Sequence, residues 1–127
     1  MLVSDPIGRD VRPMSDLAVS LYGVKVIGCT ITPYGGSTVH TEQGEAIRQA
    51  VNTWIRTSGA FDAVFDFDAA TRDPRDPQRF RPEADAPDML HPGDAGYKLM
   101  ADSIDLSVFT GTRSSSARPG SNHDDQR

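Results

Sequence analysis

The strongest constraint on the fold is a change of hydrophobic period within a short stretch of chain. Val24-Lys25-Val26-Ile27-Gly28-Cys29-Thr30-Ile31 is β-branched, nearly continuous and closed by Pro33. Such a run predicts a strand buried on both faces, as in a parallel sheet. Pro33 to Thr38 follows as a Gly-rich loop. From Thr41 to Thr57 the period becomes helical: Ile47, Ala50, Val51, Trp54 and Ile55 form one apolar stripe. Arg48, Gln49, Asn52 and Arg56 take the opposite face. Glu42 and Glu45 suit the positive end of the helix dipole, and Gly59 is placed to end the helix. Phe61 to Phe67 then predicts a second strand. Strand, helix and strand in so short a span make a βαβ unit, with parallel pairing and a right-handed crossover.

The remainder of the chain narrows the choices by exclusion. Thirteen Lys and Arg oppose 18 Asp and Glu, for a net charge of −5. That balance argues against nucleic acid and anionic membranes as partners, since both require a positive footprint. No run approaches 18 apolar residues, so no membrane span is expected. The first ten residues lack a basic segment followed by an apolar one, so no signal peptide is read and the location stays open. A single cysteine, Cys29, excludes an internal disulfide framework and a cysteine-based zinc cage. Its place inside the predicted strand suggests inert packing. Hydrophobic residues make up 37%, with 11 Gly and 9 Pro, which implies one modest domain diluted by loop. Fifteen of the acids are Asp, a residue that prefers caps and turns to helix interiors.

Three segments follow. Residues 1–23 are poorly defined, with a weak helical turn from Ser15 to Tyr22; residues 24–107 carry the α/β domain; residues 108–127 read as a disordered tail, rich in Ser, Arg, Asn and Asp. Within the domain, residues 71–87 hold Arg72, Arg75, Arg79 and Arg81 among Asp73, Asp76 and several prolines. Because the charges alternate in sign, a solvated Pro-rich connection is the better reading than an anion-binding loop. A second helix is expected from Pro92 to about Asp105. Leu99, Met100 and Ile104 supply its apolar face, and Gly96 allows close approach.

The candidate chemistry lies just before that helix. Asp88 and His91 stand three residues apart where a loop enters a helix, past the end of a predicted strand. A carboxylate beside an imidazole fixes its tautomer and stabilises the imidazolium, which prepares a general base. The spacing alone is unspecific, and a capping His beside a solvated Asp would have the same letters. Position favours the functional reading, because reactive groups in open α/β sheets gather on loops beyond the strands' carboxyl ends. Ser37 follows a Gly-Gly turn without the nucleophile-elbow pattern and reads as a plain loop serine. His40 reads as a polar residue at a helix start, and Trp54 and Tyr97 as core or edge aromatics. No spacing supports a metal site, and no cofactor is expected.

Asp88-Met89-Leu90-His91-Pro92 followed by Asp94-Ala95-Gly96-Tyr97 resembles the final conserved block of the SGNH (GDSL-type) ester hydrolases. Val24 to Gly28, Thr32 to Ser37, Val51 to Arg56, and Ser58 to Asp62 with Asp66-Phe67 resemble the late part of such bacterial enzymes, so the likeness covers about residues 20–107. It implies a Ser-His-Asp triad in which His91 is the base and Asp88 orients it. It also implies an acyl or acetyl ester of a small molecule, carbohydrate or lipid as substrate. The implied fold is a partial three-layer, flavodoxin-like parallel sheet with flanking helices, its N-terminal strands missing. The family's Gly-Asp-Ser-Leu nucleophile segment and its Gly-x-Asn-Asp oxyanion segment are not in the sequence; Met14-Ser15-Asp16-Leu17 has similar letters in another order. A truncated hydrolase is therefore expected, inactive by itself and prone to self-association, with its first strand partly uncovered. Two alternatives stand beside it: an inactive remnant or fragment completed by another chain, and an unrelated small α/β binding protein.

Overall fold

A computed structural model describes residues 22–110. Strand β1 (Ile27–Cys29) leads through a Gly-rich loop to helix α1 (Glu42–Thr57), and strand β2 (Ala63–Phe65) follows. The short helix α2 (Phe67–Thr71) opens a hairpin of β3 (Arg72–Asp73) and β4 (Asp76–Phe80). A loop then enters helix α3 (Asp94–Asp102), and α4 (Ser107–Thr110) ends the described part. The weak turn expected from Ser15 to Tyr22 and the tail from Gly111 lie essentially outside these residues, while Val108 to Thr110, expected to begin that tail, are helical, with Phe109 meeting Phe65 at 6.1 Å.

The βαβ expectation holds in its pairing. β1 and β2 are parallel neighbours, with Ile27 opposite Ala63, Gly28 opposite Val64 and Cys29 opposite Phe65. Both strands are shorter than the apolar runs that predict them. Among the described residues the sheet has two strands, and the other sheet is the antiparallel β3–β4 hairpin. The protein is thus mixed α/β with small sheets. Burial of β1 on both faces does not occur: Val24 and Ile31, at the ends of the run, are 46% and 47% exposed. Cys29 is exposed as well, not packed inside. Side chains alternate across a strand, so Gly28 turns inward against Phe61 while Cys29 faces away.

Helix α1 starts and stops where the sequence places it. Thr41 is its N-cap, the side chain accepting from the Gly44 amide at 3.0 Å, and the chain leaves through Ser58 and Gly59. The expected inward face, however, is wrong. Ile47 is half exposed, whereas Arg48 is 3% and Asn52 0% exposed. The buried face comprises Glu45, Arg48, Asn52 and Ile55. The reason is hydrogen-bond demand at the end of β1. Asn52 Oδ1 accepts from the Ile31 amide at 2.7 Å, and its Nδ2 donates to the Ile31 carbonyl at 2.8 Å. A part-buried peptide group at the end of the run needs such partners more than the helix needs to bury Ile47. Trp54 is a half-buried edge aromatic, meeting Phe61 edge-on at 5.5 Å.

An ion network joins the layers beneath that face. Arg48 donates to Glu45 at 2.7 and 2.8 Å, to Asp68 at 2.6 Å, and to the Ile31 and Pro77 carbonyls. Asp68 also receives Arg56 at 2.7 Å and Arg72 at 2.8 Å, while Arg56 forks onto Asp66. Three guanidinium groups meet three carboxylates, so a buried charge has a partner at every step. Phe65, Ile55, Phe80 and Ala84 are the buried apolar residues around it.

Residues 71–87 are exposed over much of their length, as expected, but they are not a simple loop. They form the hairpin and a buried return, with Thr71, Phe80 and Ala84 inside. The alternating charges pair locally, Arg75 with Asp73 at 3.0 Å and Arg79 with Asp76 at 3.4 Å. Helix α3 is shorter than expected, with Gly93 at its N-cap, and Gly96 packs directly on the Ala84 carbonyl. No helix among the described residues is long and apolar enough to cross a membrane.

Candidate active site

Asp88 and His91 sit on the loop between β4 and α3, and the loop is tied at its base. Asp85 bridges Pro92 in antiparallel fashion, and the Gly93 amide donates to the Ala84 carbonyl at 2.8 Å. Between these ties the chain makes a tight turn. The Met89 amide donates to Ala86, and Asp88 Oδ1 accepts the amides of Leu90 (3.0 Å) and His91 (3.1 Å). Met89 takes a φ of 53°, a left-handed conformation uncommon for a side chain of its size. Such strain persists where surrounding contacts over-determine it, often at functional sites.

The turn leaves Asp88 Oδ2 facing the ring of His91, 2.6 Å from Nδ1. The His91 hydrogen bond first, and the two backbone amides next, hold the Asp88 carboxyl down to about 2. An ionised carboxylate only accepts, so Nδ1 carries the proton and Nε2 of the neutral ring keeps its lone pair. That is the tautomer a general base requires. Both side chains are exposed, His91 66% and Asp88 52%. The pair is formed without a ligand and is open to a reactant.

The walls come from segments that are distant in sequence. Gly35 donates to the Gln78 carbonyl at 2.6 Å, clamping the Gly-rich loop to β4. Gly36 has a φ of 95°, and a methyl group there would lie 2.8 Å from Arg79 Nη1 and 2.9 Å from Met89 Sδ. The Gly-Gly turn, the hairpin and the Asp88 loop therefore meet at Gly36. Ser37, next along the chain, has a buried hydroxyl with no hydrogen-bond partner among the described residues, so it makes no bond to His91. His40 packs its ring on Tyr34 at 5.1 Å. Tyr97 is exposed on α3. Asp85 Oδ1 is buried without a partner, and burial first, then the Asp88 charge, push that carboxyl up. Among the described residues no cluster of three or more His, Cys, Asp or Glu is arranged to hold a metal ion.

Sequence reasoning finds Asp88 and His91 and misses their surroundings. Asp68, the hub of the ion network, had no local pattern to mark it, and Arg79 lay in the stretch whose arginines made an anion-binding loop only the second reading, with nothing to set it apart from its neighbours. The spacing of Glu45, Arg48 and Asn52 along one line of α1 is the signal that could have disclosed the polar inner face.

Residues 9–99 match the GDSL-like Lipase/Acylhydrolase family, a span that includes the βαβ unit, the hairpin and the Asp88–His91 turn. The chain belongs to that family. No curated protein matches it. Membership in the GDSL-like family removes the reading of an unrelated α/β binding protein, and it makes the Asp88–His91 contact the first place to look for this GDSL-like chain's chemistry.

The acid response of the GDSL-like domain follows from its carboxylates. Arg56 first, followed by the Ala69 amide and Thr30, holds Asp66 down to about 2 against the opposing effect of its partial burial. Glu45 is likewise lowered, its bonds to Arg48 and Gln49 outweighing burial. Groups depressed on folding stabilise the protein above their ordinary range, and that stabilisation is lost as pH falls toward the folded value. Urea unfolding is therefore expected to give a plateau from pH 7 to about 4.5 and a decline toward pH 2. A midpoint unchanged down to pH 2.5 would contradict the network's role.

Proposed function

We propose that this chain supplies the base and its orienting carboxylate to a serine-type ester hydrolase site acting on acyl or acetyl esters. The observation that carries the reading is the 2.6 Å contact between Asp88 Oδ2 and His91 Nδ1, made on a strained, doubly hydrogen-bonded turn. In this reading His91 Nε2 removes the proton from a serine hydroxyl as it attacks the ester carbonyl. The same nitrogen returns the proton to the departing alcohol, and a water then repeats the cycle to release the acid. Asp88 holds the ring and stabilises the imidazolium.

The serine and the oxyanion donors come from outside the 127 residues in this reading. The Gly-Asp-Ser-Leu segment would be supplied by coding sequence upstream of Met1 or by a complementing chain, together with further strands of a three-layer parallel sheet. The alternative is an inactive remnant. Exposure of Val24 and Ile31 suits either reading, since both ends of the β1 run are without cover.

A fluorophosphonate serine probe separates them. The 127-residue chain alone is expected to take no label and to give no burst with p-nitrophenyl acetate. A longer product carrying an upstream Gly-Asp-Ser-Leu segment is expected to label at that serine, with labelling lost in His91→Ala. Labelling of the 127-residue chain by itself, or His91-independent labelling of the longer one, would overturn the assignment.

A further inference from the structure

We propose that Arg79 is a specificity-determining residue that receives an anionic group of the substrate, a carboxylate or a phosphate, beside the Asp88–His91 pair. The inference rests on the reading of that pair as hydrolytic and names a substrate class for it.

Six arginines occur among the described residues. Arg48, Arg56, Arg72 and Arg75 spend their guanidinium groups on hydrogen bonds to carboxylates. Arg81 is turned partly inward, its Nε buried. Arg79 differs from the first four in its unspent fork, which Arg81 shares, and from Arg81 in its greater exposure and its place against Gly36. It is half exposed, and its one ion pair runs from Nε to Asp76 at 3.4 Å, leaving both terminal nitrogens without a hydrogen bond among the described residues. The fork is not loose on the surface either. Nη1 lies against Gly36, where the Met89 sulfur also packs, and Met89 is the residue between Asp88 and the rest of the turn. A methyl group at Gly36 would displace the ends of the Arg79 and Met89 side chains, and the φ of 95° there favours glycine in any case.

The charges that face Arg79 are those of Asp76, on its own strand, and Asp85, at the base of the Asp88 loop. Neither forms a bidentate pair with it. A guanidinium whose terminal nitrogens make no hydrogen bond suits a planar carboxylate or a phosphate, and its Nη1 meets Gly36 where the side chain of Met89, the residue after Asp88, also packs. An ester held with its carbonyl near His91 Nε2 and its body over Met89 would place an anionic substituent on that fork.

Binding is tested apart from catalysis. The chain labelled with nitrogen-15 is titrated with sodium acetate, inorganic phosphate or sodium chloride at matched ionic strength. Saturable shifts at the Gly36 and Met89 amides are expected with acetate, phosphate or both, but not with chloride. Arg79→Gln should weaken them by about ten-fold or more, and Arg79→Lys should retain part, because charge remains without the fork. Arg75→Gln, remote on the hairpin turn, should leave them unchanged. Shifts equal in Arg79→Gln and wild type, or absent in wild type, overturn the proposal. In the longer, serine-bearing product, Arg79→Gln should lower kcat/KM for p-nitrophenyl hemisuccinate while sparing p-nitrophenyl acetate. An equal effect on both esters rejects the specificity role. Absence of any turnover while anion binding persists rejects the hydrolase reading and leaves the anion site standing.

Discussion

Arg48→Ala is expected to cost about 3–5 kcal/mol of folding stability, the range for removing one partner of a buried ion pair. Domains of this size are held by only about 5–15 kcal/mol, so cooperative unfolding should be nearly abolished. The cause is specific. Arg48 and Asp68 have side chains 2% and 1% exposed, and truncating the arginine takes its charge partner from Glu45 and one oxygen of Asp68 and a donor from the Ile31 and Pro77 carbonyls. Urea titration followed by Trp54 fluorescence measures the loss. Asp68→Ala should be comparably damaging, since it leaves three guanidinium groups short of a partner. The double variant should lose less than the two singles added, because both remove one shared interaction. A loss below about 1 kcal/mol for Arg48→Ala would place the network among exposed pairs of little consequence.

The largest effect on activity is expected from Asp88→Asn. In the serine-bearing form, kcat for p-nitrophenyl acetate should fall by about 10⁴-fold, the scale seen when a triad carboxylate becomes an amide. The amide can donate to Nδ1, which lets the ring take the tautomer with its proton on Nε2, where it cannot act as base. His91→Ala should fall at least as far. Asp88, ionised down to about 2, should add no step of its own to the pH–rate profile above that value. Retention of most activity in Asp88→Asn would show that the 2.6 Å contact is a structural turn only.

The site was legible to the extent that its causes are local. Asp88 and His91 are three residues apart, and the turn that joins them is closed by Asp88's own hydrogen bonds to Leu90 and His91. Arg79 was not legible, because only the fold brings it to Gly36, which is 43 residues away in the chain. The hairpin was hidden for a related reason. Its prolines and alternating charges are those of a solvated loop, and its burial comes from Phe80 and Ala84 packing under segments elsewhere in sequence.

By itself the sequence determined the start and end of helix α1, through Thr41 and the Gly59 exit, the parallel order of the βαβ unit and the position of the Asp88–His91 turn. Each depends on caps, periods or bonds spanning a few residues, whose energetics a linear pattern records. Which face of α1 points inward was decided only by tertiary structure. The Ile31 backbone and the Asp68 carboxylate, 12 to 21 residues from their partners on the helix, required hydrogen bonds that Asn52, Arg48 and Arg56 supply. The burial of an unsatisfied peptide group or charge costs more than the exposure of Ile47, so the polar face went in.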